Sequence, residues 1–183
     1  MRNIPNALKF AVRYGSRMMK ISFILCLAGV YLTVYNIPGN PEGVALSAAL
    51  LFFGCVLSYV SLVRANRKIN LLESGHQAVG TFQEWKNSFI TYNNGTLVFL
   101  CYSYVDMRRK KQEARTLSTS ADGLERTNVF YDEEDSTILE YLPGKPSINS
   151  QNEFEVGSRI PTLLFYAAVF LVSLAATATS HLD

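Results

Sequence analysis

Few side chains in this sequence have the types needed for covalent chemistry. The chain carries two histidines, His76 and His181, and three cysteines, Cys26, Cys55 and Cys101. His76 and Cys101 fall in strand-like runs whose pairing could bring an imidazole to a thiol, the minimum for a general base and a nucleophile. No CxxC, HExxH, GxSxG, Walker or GxGxxG pattern accompanies them. Cys101 also stands in a run with Val98, Leu100, Tyr102 and Tyr104, where a free cysteine packs as a small hydrophobe.

Two charge runs are the other candidates. Arg108, Arg109, Lys110 and Lys111 are consecutive, and three chemistries are open to them: a solvated hairpin tip, contact with anionic lipid head groups, or contact with nucleic acid. The last lacks the interleaved aromatic platform on which bases stack, so no nucleic-acid partner is expected. Asp132, Glu133, Glu134 and Asp135 compensate that run. They lack the spacing and glycine turn of a calcium loop and read as an exposed turn; no metal or cofactor is expected. Pro143 and Pro146 have PxxP spacing, which the end of a strand explains equally well.

The elements that must position these residues follow from composition. Of 183 residues, 49% are hydrophobic and 17% charged. A water-soluble domain carries about a quarter charged residues, so part of this chain faces something other than water. A net charge of +2 excludes a polyanion-coating protein on bulk electrostatics. The odd cysteine count reads as free thiols.

Three stretches without charge organise the chain: 21–37, 44–63 and 160–180. Twenty helical residues rise about 30 Å, the thickness of a hydrocarbon core. A soluble fold would need more polar chain to wrap three such helices, and no Ala-x-Ala-like site for signal cleavage follows the first. Ser158 suits the N-cap of the third and Pro161 its first turn.

Arg2, Lys9, Arg13, Arg17 and Lys20 precede the first span, Arg64, Arg67 and Lys68 follow the second, and Arg159 precedes the third. The connection PGNPEG at 38–43 and the tail at 181–183 have neither Lys nor Arg. By the positive-inside rule the N-terminus and the long segment between spans two and three are cytoplasmic, and the connection and C-terminus lie outside. Within residues 1–20, Leu8, Val12 and Met19 fall near one helical face beside Lys9, Arg13 and Arg17. That pattern suits a helix lying on anionic lipid, an organelle import sequence, or charges that only set topology. Small residues share helix faces, namely Ser22, Cys26, Gly29 and Thr33 in the first span and Gly54 and Ser58 in the second, which allows close helix packing. No span has an ionisable residue in its middle, which weighs against a proton relay or ion path.

Residues 65–158 form the remaining module, and its composition is β. The runs SFITY and TLVFLCYSYV flank Asn93, Asn94 and Gly95, a hairpin signal with Gly95 at a positive-φ turn position. HQAVGTFQEW predicts a separate strand bent or bulged at Gly80, and TNVFY and STILEYL predict two more. The polar stretch 106–126 between them reads as a loop. A small curled antiparallel sheet is expected.

Three strings in this order resemble bacterial membrane proteins carrying the DUF3592 domain: GHQAVG at 75–80, CYSYV at 101–105 and EYLPGKPSINS at 140–150. The stretch RRKKQEARTLSTS stands where a short glycine hairpin is usual in that family. The resemblance implies a small β-domain inserted between membrane helices and no established activity.

The expected architecture is an α+β membrane protein: a basic segment at 1–20, a helical hairpin at 21–64, a cytoplasmic β-domain at 65–158, a third membrane helix at 159–180 and a short external tail. The expected location is the bacterial inner membrane, with the lipid bilayer and a membrane protein or a second copy as partners. The expected role is that of a non-catalytic accessory or scaffold subunit. A transport or channel component and a membrane-surface enzyme are the alternatives.

Overall fold

A computed structural model describes residues 1–36, 41–92, 95–151, 153–157 and 160–180. Several expectations lie outside the described residues: part of the PGNPEG connection, the Asn93–Asn94 turn, the Ser158 cap, Arg159 and the tail from His181. The chain divides into two units, one of Met1–Leu8 with Arg67–Gly157 and one of Lys9–Asn66 with Ser158–Asp183. The first eight residues therefore belong with the β-module, whereas the basic segment had been expected to stand alone.

Helices α1 (Asn6–Tyr14), α2 (Arg17–Asn36), α3 (Pro41–Ser74) and α4 (Ile160–Ser180) account for the apolar stretches. Two helices among the described residues are long and apolar enough to cross a bilayer, α2 over Arg17–Val34 and α3; in α4 the apolar portion Ile160–Ser173 is shorter. Only 11% and 17% of the apolar windows of α2 and α3 is buried, far less than in a core helix of a soluble protein. Phe52, Phe53, Val56 and Val63 on α3 and Leu163, Leu164, Phe170 and Leu171 on α4 are exposed, while Ser22, Ser47, Ser61 and Thr162 are buried.

The expected small-residue faces meet each other in the α2–α3 seam. Ser58 Oγ donates to Ser22 Oγ at 2.9 Å. A Cβ on Gly54 would stand 2.6 Å from Cys26 Sγ, and one on Gly29 would stand 2.7 Å from Leu51 Cγ. Such approach is available only to glycine, and the hairpin itself uses it. Thr33 instead donates to Gly29 O of its own helix at 2.8 Å. At the start of α4, the Tyr166 hydroxyl donates to Tyr14 O at 3.0 Å and its ring meets Phe23 edge-on at 4.9 Å. On α1, Leu8, Ala11 and Val12 are buried, so the apolar face that suits lipid is covered by protein. Arg13 Nε donates to Asn66 Oδ1 at 3.0 Å.

The other unit holds the end of α3 and a five-stranded antiparallel sheet in the order β3-β2-β1-β4-β5. Its strands are β1 (His76–Tyr92), β2 (Gly95–Val105), β3 (Lys111–Ser118), β4 (Arg126–Tyr131) and β5 (Ser136–Ile138). The edge strands β3 and β5 approach one another, so the sheet curls. Val98, Leu100, Tyr102 and Tyr104 of β2 point inward at alternate positions and pack with Ala114, Val129, Tyr131 and Ile138. A 3₁₀ turn at Leu139–Tyr141 and the short pair β6 (Ser147–Ile148) and β7 (Phe154–Glu155) complete the unit.

Five expectations are corrected. The runs HQAVGTFQEW and SFITY form one strand of 17 residues, whose first half pairs with β4 and whose second half pairs with β2. Its irregularities fall at Phe82/Glu84 and Asn87/Thr91, and Gly80 pairs regularly with Thr127. Gly95 pairs with Tyr92, so it opens β2. Part of the expected loop 106–126 is strand β3, and the strand expected over STILEYL ends at Ile138.

Arg2 ties the N-terminus to this unit. Its guanidinium donates to Gly75 O at 2.8 Å and to Leu72 O at 3.3 Å, and it stacks 5.0 Å from the centre of the buried Phe130 ring. A cation on the unpaired carbonyls that end α3 is the favourable sign for a helix C-terminus.

Candidate functional site

His76 and Cys101 do not meet. His76 pairs with Tyr131 at the start of β1, and Cys101 pairs across Glu84, eight residues further along the same strand. At about 3.3 Å per residue that is roughly 25 Å, which rules out the dyad. Alternation also puts Cys101 on the face opposite Leu100 and Tyr102, not among them. It is nevertheless 1% exposed, under the ion pairs Lys86–Glu84 at 2.8 Å and Arg115–Glu113 at 2.6 Å. Burial pushes the thiol above its ordinary range, and its bond to the Glu113 carboxylate adds to that rise. The Arg115 side chain in turn holds Glu113 low. This is a covered, protonated thiol, the opposite of what a nucleophile requires.

The residues that do converge come from three places in the sequence. The β2–β3 turn, the β4–β5 turn and His76 surround an open cleft of about 530 Å³. The two turns carry the basic and acidic runs. In the first, Asp106 Oδ1 accepts the Lys110 N–H at 2.8 Å, Asp106 Oδ2 accepts from Gln112 Nε2 at 3.3 Å, and Arg109 takes a left-handed φ of 59°. In the second, Asp132 Oδ1 accepts the N–H groups of Glu134 and Asp135 at 2.8 Å each. Arg108 pairs with Glu133 across the cleft, and Arg67 pairs with Glu134 at 2.9 Å and Asp135 at 3.2 Å. The basic run is thus a hairpin tip, with one of its cations committed to an acid; Lys111 opens β3.

Tyr104 and Tyr131 form the aromatic floor, with ring centres 4.9 Å apart, and the His76 ring lies 5.7 Å from Tyr131. Desolvation raises the Tyr104 phenol above its ordinary range, partly opposed by its bond to Ser136. Asp106 is held below the ordinary carboxyl range, chiefly by the Lys110 N–H. Six carboxylates, Asp106, Glu113, Asp132, Glu133, Glu134 and Asp135, line the cleft against one guanidinium, Arg108. Among the described residues, no three His, Cys, Asp or Glu side chains are grouped as metal ligands.

Elsewhere in the unit, polar groups close on each other. The Glu140 carboxylate accepts from Asn128 N at 3.1 Å, from Asn128 Nδ2 at 2.8 Å and from Thr127 Oγ1. The hydroxyls of Tyr102 and Tyr141 bond at 2.8 Å. These bonds tie the 3₁₀ turn to β4 and β2.

Sequence reasoning singled out His76 and both charge runs but missed their convergence and the two tyrosines. The available signal was the matching of four bases by four acids. Comparison with protein-family models, with curated proteins and with solved structures found no match. The likeness to the DUF3592 domain therefore rests on the three quoted strings.

Proposed function

We propose that this chain is an integral membrane protein that works by binding, as a non-catalytic accessory or scaffold subunit presenting its β-unit to a partner. In this reading α2, α3 and α4 cross the bacterial inner membrane, the N-terminus and β-unit are cytoplasmic, and the α2–α3 connection and C-terminus are external. The observation that carries the membrane reading is the inverted distribution of side chains in the helical unit. Phenylalanine, leucine and valine are exposed on α3 and α4 while serines and a threonine are buried. In water that arrangement exposes far more apolar surface than a monomer sustains; in lipid it needs no covering. The binding reading is supported by the open polar cleft and by the separation of the only His–Cys pair in the β-unit.

Lys9, Arg13, Arg17, Arg109, Lys110 and Lys111 are proposed to meet anionic head groups through charge, since α1 has no uncovered apolar face to insert. Extraction of membranes with alkaline carbonate tests the anchoring. The protein is expected to stay with the bilayer and to leave it only in detergent. Release by carbonate alone would mean a peripheral protein.

A further inference from the structure

We infer that the cleft between the β2–β3 and β4–β5 turns is a binding site for an extended organic polycation of the polyamine class. The inference rests on the reading that the β-unit acts by binding, and it names what is bound.

The first observation is charge. Among the described residues, neither Asp106 nor Asp132 has a salt bridge; both accept from backbone amides, Asp106 also from the neutral Gln112, and Arg108 adds a longer-range attraction to Asp106. Glu133, Glu134, Asp135 and Glu113 each have an arginine partner, Glu134 and Asp135 sharing Arg67, but those pairs are exposed and the six lining carboxylates outnumber the three arginines. The lining therefore favours a cation.

The second observation is independent of the acids. Tyr131 is only 6% exposed, it lines the cleft, and among the described residues its hydroxyl has no hydrogen-bond partner. No buried side-chain oxygen in the described structure lacks a partner, so this hydroxyl is open to solvent, on a residue that lines the cleft. A phenol oxygen on a cleft whose Asp106 and Asp132 have no salt-bridge partner among the described residues is an acceptor placed for an ammonium N–H.

Shape distinguishes an organic cation from a metal ion. The carboxylates are spread along two turns and no three His, Cys, Asp or Glu groups converge among the described residues, whereas Mg²⁺ or Ca²⁺ needs oxygens closing on one point. A volume of about 530 Å³ is that of a small-molecule site and far exceeds one ion. A flexible chain with ammonium groups at intervals can reach Asp106, Asp132 and the Tyr131 hydroxyl together.

The test is calorimetric titration of the full chain, in nanodiscs of zwitterionic lipid, with spermidine, n-butylamine and Mg²⁺ at matched ionic strength. Spermidine is expected to bind saturably at one site, more tightly than either of the others, and to weaken as salt is raised. Tyr131→Phe is expected to weaken it about tenfold, the loss of one hydrogen bond to a charged group. Asp132→Asn, which keeps an oxygen for the turn amides, is expected to weaken it several-fold. Glu84→Gln, on the Cys101 face, should bind as the wild type does. Absence of saturable spermidine binding, Mg²⁺ binding as tightly, or wild-type affinity in either Tyr131→Phe or Asp132→Asn at an unchanged thermal midpoint would each overturn the site. Carbonate extraction does not enter this titration, so the site and the membrane reading fail separately.

Discussion

Asp106 organises the turn that forms one wall of the cleft, and it does so only while charged. The Lys110 N–H on its carboxylate favours the ionised form, which is why its pKa lies below the ordinary 3.8. With a folded-state pKa below the unfolded one, the support it lends is fully present above that ordinary value and is lost as pH falls through the lowered pKa. Hydrogen exchange of the Lys110 amide should therefore lose protection in that acid range in the wild type, and the loss should vanish in Asp106→Asn, whose side-chain oxygen accepts at every pH. Cys101 makes a second prediction at this scale. Covered by the Glu84–Lys86 and Glu113–Arg115 pairs and raised by burial, it should react with a neutral thiol reagent at pH 8 at less than about a tenth of its rate in the unfolded chain. A native rate equal to the unfolded one, read by mass spectrometry of the Cys101 peptide, would mean that the cover does not exist. Neither its burial on that face nor its partners could be read from the sequence, because strand alternation tells which neighbours share a side only after the register is known.

Among the elements, the α2–α3 seam is the most sharply testable. Gly54→Leu should lower the stability of the helical unit by about 1–3 kcal/mol through overpacking against Cys26, while Val56→Leu, at an exposed position of the same helix, should change it little. Thermal midpoints of the purified full chain in detergent decide this, and equal midpoints would refute the seam. At the end of α3, Arg2→Ala should cost about 1 kcal/mol or more, since it removes both the carbonyl contacts and the cation over Phe130. Arg2→Lys should recover only part of it, measured by urea denaturation of the β-unit in the full chain. The helices were legible because uncharged runs of about twenty residues have few other uses. Strand β3 was not, because its residues KQEARTLS show one buried position, Ala114, and an edge strand with polar groups on both faces carries no alternation to read. The long β1 was divided in two for a related reason. Its polar middle, where pairing passes from β4 to β2, resembles a break in the pattern. Arg2 was read as a topology charge because its partners lie some seventy residues away.

For the whole molecule, charge and hydropathy support the proposed path across the membrane, whereas the cleft depends on contacts between distant turns that no local pattern announces. The central claim is that the helical unit is embedded and that the connection after α2 and the β-unit lie on opposite sides of the membrane. Site-directed labelling measures this directly. In a background lacking Cys26, Cys55 and Cys101, single substitutions Asn40→Cys and Ser120→Cys would be exposed to a membrane-impermeant thiol reagent in intact cells and after permeabilisation. The account predicts that Asn40→Cys is labelled in intact cells and that Ser120→Cys is labelled only after permeabilisation. Labelling of Ser120→Cys in intact cells, or protection of Asn40→Cys until the membrane is opened, would contradict it.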